Sequence, residues 1–184
     1  MAGAVLNRVR ALFHTPAPPG LGPAVRPHVQ SAASLTAAFD DLARELGLPT
    51  GQADLIRSAA FLWHDHLEAA HRIVQGIEDP DGNLIHAIMH RREPDYANAK
   101  YWFRRVGVHP AFGPLAATVG QFLSQPKDAP LKTTLMPDGK WDPFAFVDEC
   151  QECTRLPAGH PRLFTAVELQ RLEFEALLAH LCAR

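Results

Sequence analysis

The sequence has little of what marks a secreted, membrane or nucleic-acid-binding protein. Its 184 residues include three cysteines, Cys150, Cys153 and Cys182. An odd count with no secretory leader does not read as a disulfide framework. The opening MAGAVLNRVRALFHTP breaks its apolar residues with arginines, and its apolar run is too short for a signal peptide. No stretch approaches the ~20 apolar residues of a membrane-spanning helix. The formal charge is −2, so there is no global basic field of the kind nucleic-acid binders carry. The expected compartment is therefore the cytoplasm, with neither nucleic acid nor membrane as partner. Named catalytic signatures are missing too. There is no GxSxG, no P-loop and no GxGxxG, and the nearest match to a zincin HExxH reads HAIMH, without its glutamate.

What is present is enough for one soluble domain, since 47% of residues are apolar and 21% charged. Strand patterning is absent apart from a faintly extended Leu131–Met136, and helical periodicity recurs throughout. A short amphipathic helix is expected over residues 4–13. The following TPAPPGLGPAVRP, rich in proline, reads as an extended arm, disordered or draped over the body. Helices are then expected over 35–46, 52–77, 84–92, 96–106, 114–123, 142–155 and from Thr165 onward. Their boundaries come from Gly47 and Pro49 as a stop, Asn83 and Asp95 as caps, and a Thr165/Glu168 capping box. Residues 124–141 are expected to be irregular. The expected fold is all-α, with about six to seven helices packed as hairpins in a domain of residues 31–184, behind an N-terminal arm of residues 1–30.

Chemistry-bearing residues concentrate between Phe61 and Pro110, which hold six of the ten histidines, two of the three tryptophans and both tyrosines. In a continuous helix over 52–77, His64, Glu68 and His71 would share one side. His86 and His90 would share the polar side of the next helix. Two such edges facing across a hairpin gather four imidazoles, suited to Zn, Mn or Fe as a divalent ion. The expected metal ligands are His64, His71, His86 and His90, and the expected catalytic groups are His64, Asp65 and His90. Arg91, Arg92, Asn98, Lys100, Tyr101, Arg104 and Arg105 form a basic, aromatic band suited to a small anionic ligand or a peptide carboxylate. The same residues admit a purely structural reading. The histidines would then face solvent or bond to carbonyls, and Arg91, Arg92 and Arg104 would pair with Glu93, Asp95 and Glu78. His66 falls within the apolar sector of its helix and reads as a structural histidine. The Cys150-x-x-Cys153 pair lies near a helix end beside Glu149 and Glu152, which disfavour a thiolate.

Two resemblances bear on this segment. Ala99, Phe103 and Pro110 in DYANAKYWFRRVGVHP, with Ala69, Ile73 and Pro80 thirty residues earlier, resemble tetratricopeptide-type helical hairpins. The strings HDxLxxxH from His64, HAIMHRREPDYxNAKYWFRRVGxHP from His86, WDPFxFVD from Trp141 and LQRLE from Leu169 are similar to an uncharacterised family of bacterial and fungal helical proteins. The second resemblance spans roughly residues 60–180 and implies a helical fold without implying a chemistry. Two functions follow as expectations. One is a helical protein whose His/Asp/Arg-rich site binds a metal ion or small anion, with metal-dependent hydrolysis as its simplest reaction. The other is a peptide interaction module without catalysis, whose groove the arm could fill in its own chain or in the second chain of a homodimer.

Overall fold

A computed structural model describes residues 2–184, leaving Met1 outside. It is all-helical, with no strand among the described residues. The helices are α1 (Ala2–Arg10), α2 (Ala32–Leu46), α3 (Thr50–Trp63), α4 (Leu67–Val74), α5 (Pro80–Arg92), α6 (Tyr96–Val106), α7 (Phe112–Phe122), α8 (Ala129–Leu135), α9 (Pro143–Cys153) and α10 (Pro161–Leu181). The all-α class agrees with the sequence. The count of six to seven does not, because ten helices form among the described residues.

The excess has local causes. The expected helix over 52–77 is two helices, broken at His64–His66. Residues 129–135, expected to be irregular, form α8, with Pro130 in its first turn, where a missing N–H costs nothing. Two starts also shift. Asp79, not Asn83, caps α5, its side chain accepting from the Gly82 N–H with Pro80 in the first turn. His160 caps α10 by accepting from the Arg162 N–H, so Thr165 and Glu168 lie inside the helix instead of forming a capping box.

Two apolar clusters fill the interior. One joins α2, α3, α4, α5 and α6 with the C-terminal part of α10, through residues such as Phe39, Leu62, Ile85, Phe103 and Leu177. The other joins α7, α8 and α9 with the N-terminal part of α10, through Leu115, Leu135, Phe146 and Leu169. Residues 14–31 carry no regular secondary structure and lie against the body, with Pro19 and Leu21 buried. The most enclosed element is α5, in which every residue from Asp81 to Arg92 is buried. Among the described residues, no helix is long and apolar enough to cross a membrane.

Candidate metal centre

A fully buried helix can carry polar side chains only if each finds a partner. Helix α5 carries six: Asp81, Asn83, His86, His90, Arg91 and Arg92. Arg91 donates to both carboxylate oxygens of Glu173, at 3.1 and 2.5 Å, and to Gln170 Oε1 at 3.3 Å, with its guanidinium over the Phe146 ring. Arg92 donates to Asp65 Oδ1 at 2.6 Å, to the Leu62 carbonyl, and to the arm carbonyls of Gly20 and Gly22. Asn83 donates to the Glu78 carbonyl at 3.2 Å. Asp81 Oδ1 lies 2.8 Å from His109 Nε2 and 2.9 Å from His180 Nε2, and its other oxygen accepts from Arg184. His90 Nδ1 lies 3.1 Å from Glu93 Oε2, and its Nε2 lies 3.2 Å from the Asn98 amide nitrogen.

His86 is the exception. It is 3% exposed, and neither ring nitrogen has a hydrogen-bond partner. Its ring stacks on Trp102 at 3.8 Å between centroids and faces two further imidazoles, His90 at 4.8 Å and His71 of α4 at 4.9 Å. One ring nitrogen from each of His71, His86 and His90 falls within 4.8 Å of the others. Burial pushes the His86 imidazolium down to about 3, and repulsion from His90 and His71 adds to it. Burial also lowers His90, against the pull of Glu93. Both rings are therefore neutral at neutral pH and bring a nitrogen close to the other imidazoles; the His86 nitrogens are unpartnered, whereas His90 Nε2 has the Asn98 amide beside it. His90 shows a further mark of a ligand, since an Nδ1–H donated to Glu93 leaves the Nε2 lone pair for a metal. That tautomer is assigned from the partners.

Asp81, His109 and His180 form a second group whose ligand atoms lie within 4.8 Å of one another and could hold a metal ion. Its chemistry fits a hydrogen-bond hub better. His109 Nδ1 accepts the Ala111 backbone N–H at 3.1 Å, so Nε2 carries the proton and donates it to Asp81. A ligating histidine instead donates from its second nitrogen. The hub ties the start of α5 to the α6–α7 loop and the end of α10.

His64 does not join the other histidines. Both of its nitrogens are committed: Nδ1 accepts the Gln30 N–H at 3.1 Å, and Nε2 donates to the Leu12 carbonyl at 2.8 Å. Asp65 is equally occupied. Burial raises its carboxyl, but hydrogen bonds from Arg26 and Arg92 outweigh burial and hold it below the usual value. These two residues, expected to be catalytic, instead anchor the arm. The helical phase that put His64 beside His71 is lost at the α3–α4 break, and exposed Glu68 pairs with Arg72. His66 is structural as expected, donating from Nε2 to the Gln30 carbonyl at 2.7 Å.

The expected anion-binding band is likewise dispersed. Arg91 and Arg92 are wholly buried in ion pairs, with Glu173 and Asp65 in place of the acids near them in sequence. Arg105 stacks on Trp102 and lies 4.0 Å from Glu78. Tyr101 is exposed, with its ring edge against Trp102. Asn98 sits at His90. Lys100, paired with Asp148 at 2.5 Å, and Arg104 line an open cleft of about 670 Å³ with Asp95, Tyr96 and Gln151. Burial pushes the Cys150 and Cys153 thiols up to about 12, so neither is a nucleophile at neutral pH.

Sequence reasoning missed Arg26, Gln30, Gln170 and Glu173, which supply partners from 30 or more residues away. No local signal marks them. No protein-family model, curated protein or solved structure matches the chain.

Proposed function

We propose that this chain binds one divalent transition-metal ion through His71, His86 and His90. The observation that carries the reading is His86, a buried imidazole with no hydrogen-bond partner, with a ring nitrogen within 4.8 Å of one on each of two other imidazoles. A buried unpaired polar ring costs roughly 1–3 kcal/mol, and metal ligation would recover that loss. Three nitrogen donors favour Zn²⁺ over Mn²⁺, which prefers oxygen. Glu93 orients His90, and Asn98 occupies the His90 lone pair until a metal takes it. Three protein imidazoles leave the fourth position of a tetrahedral zinc to water, the arrangement that supports hydrolysis, so hydrolysis is the reaction class to screen. Elemental mass spectrometry of tag-free protein tests the site. About one metal per chain is expected in the wild type and much less in His71→Ala and His90→Ala. No stoichiometric metal after reconstitution with Zn²⁺, Mn²⁺ and Fe²⁺ would overturn the reading.

A second reading is supported by the cleft that Lys100 and Arg104 line. It is open to solvent, with Arg104 exposed and Lys100 half-buried, and it would take a peptide carboxylate or small anion without catalysis. NMR titration with an acidic peptide should then shift the amides of Tyr96 to Arg104. Arg104→Ala should abolish those shifts.

A further inference from the structure

The break between α3 and α4 is a helix C-cap of an uncommon kind. His66 N–H reaches back to the Phe61 carbonyl at 2.8 Å, and Asp65 N–H to the Leu62 carbonyl at 3.1 Å. That pair of bonds is a Schellman motif, whose left-handed residue is usually glycine. Here it is Asp65, with φ of 66°. An aspartate tolerates this conformation better than most residues, but it still needs support from its surroundings.

The support comes from the arm. Asp65 Oδ2 accepts from both the backbone N–H and the Nε of Arg26, at 2.9 and 2.8 Å. Arg26 also donates to the Trp63 carbonyl, and Arg92 donates to the Leu62 carbonyl. In an uninterrupted helix these two carbonyls would accept from Leu67 and His66. Arg26 thus satisfies the Trp63 carbonyl that the break exposes, and Arg92 adds a second donor to the Leu62 carbonyl, which already accepts from Asp65 N–H. Four residues on, Gln30 grips the turn from both sides, its N–H on His64 and its carbonyl on His66. Trp63 Nε1 adds a bond to Thr15 Oγ1 at 2.9 Å.

The turn sets where α4 goes, and α4 is the sole carrier of His71. It is a short helix of eight residues, held to α3 by the Ser58 hydroxyl on the Ala70 carbonyl at 3.1 Å and by three buried apolar side chains. His86 and His90 stand on buried α5, which meets that turn only at its C-terminal end, through Arg92.

We propose that the arm governs the metal centre. With Arg26 and Gln30 docked, α4 presents His71 and the site has three ligands; with the arm released, only His86 and His90 remain in place. This rests on the three-histidine reading of the site. Arg26, Gln30 and Asp65 are then positioning residues that touch no metal. Groups that orient a ligand typically change metal affinity 10- to 100-fold. Linkage also requires the reverse effect, with bound metal holding the arm down by the same factor.

The test is Zn²⁺ affinity of the full chain, by competition with a chromophoric chelator, for wild type, Arg26→Ala and Asp65→Gly. Arg26→Ala removes the arm's bonds to the Asp65 carboxylate and the Trp63 carbonyl. Asp65→Gly keeps the left-handed turn at no steric cost while removing the carboxylate shared by the arm and buried Arg92. Arg26→Ala, which leaves the Arg92–Asp65 pair intact, is therefore the variant that isolates the arm. Circular dichroism establishes that each variant is folded. Both folded variants are expected to bind zinc about 10- to 100-fold more weakly. In the wild type, zinc is expected to slow hydrogen exchange at the Arg26 and Gln30 amides. Wild-type affinity in both folded variants, with no zinc effect on arm exchange, would overturn the coupling and leave the site intact. Failure of the wild type itself to bind zinc would instead remove the site.

Discussion

His64 and His86 are both buried imidazoles, and burial lowers the pKa of each. His64 spends both nitrogens on backbone groups, whereas His86 spends neither, and this contrast separates a structural histidine from a candidate ligand. Both contribute the same sign of pH dependence. A folded pKa below the unfolded value near 6.5 means that the unfolded chain takes up the proton first, so stability is full above that pH and falls below it. For His86 alone the loss by pH 5 is about 2 kcal/mol, or roughly 4–8 °C in Tm for a chain this size. Calorimetry of metal-free protein at pH 7 and pH 5 checks it, and an unchanged Tm would contradict neutral burial. Asp65 and Asp81, both held below the usual carboxyl value, extend the loss in the same direction below about pH 4. The Arg91–Glu173 pair gives a separate prediction. Glu173→Gln leaves a buried guanidinium without its counter-charge and should cost about 3–5 kcal/mol in urea denaturation. Arg91→Met with Glu173→Leu should recover most of that loss.

At the scale of elements, α5 shows what periodicity alone does not reveal. A helix with one apolar stripe is read as half-buried. Helix α5 looks amphipathic, with Leu84, Ile85, Ile88 and Met89 on one side, yet both sides are covered. Its polar side faces Glu173, Asp65, His109 and His71, which arrive from elsewhere in the chain. Close approach begins at its first turn. A Cβ on Gly82 would lie 2.6 Å from both Cγ2 and the carbonyl oxygen of Ile77. Gly82→Ala should therefore cost about 1–3 kcal/mol by forcing the Glu78–Asp79 turn outward. Chemical denaturation of this variant, with Gly113→Ala as an unhindered control, measures the effect. The helix boundaries that were legible came from local chemistry, such as Gly47 at φ 62° ending α2 and Asp142 capping α9. The α3–α4 break was not legible, because an aspartate in a left-handed turn is stabilised here by arginines 39 residues before it and 27 after it.

Across the whole molecule, α10 and the arm hold the two apolar clusters together. Helix α10 contributes Phe174, Leu177 and Leu181 to one and Leu169 and Leu172 to the other, with Gln170 and Glu173 meeting Arg91 between them. Gln170 also donates to the arm carbonyls of Pro19 and Gly20, so the arm is tied to this junction as well as to the α3–α4 turn. Metal at 100 times its dissociation constant should raise global stability by about 2.7 kcal/mol, or roughly 5–10 °C in Tm. Differential scanning fluorimetry with and without Zn²⁺ reads this, and His90→Ala should show no shift. By itself the sequence determined the all-α class, most helix positions, and the concentration of histidines between residues 64 and 90, because periodicity, caps and turns act over a few residues. Only the tertiary structure decided which histidines converge. That choice depends on a break in one helix and on partners contributed by the arm and by α10, and contacts between distant segments leave no periodic trace in the chain.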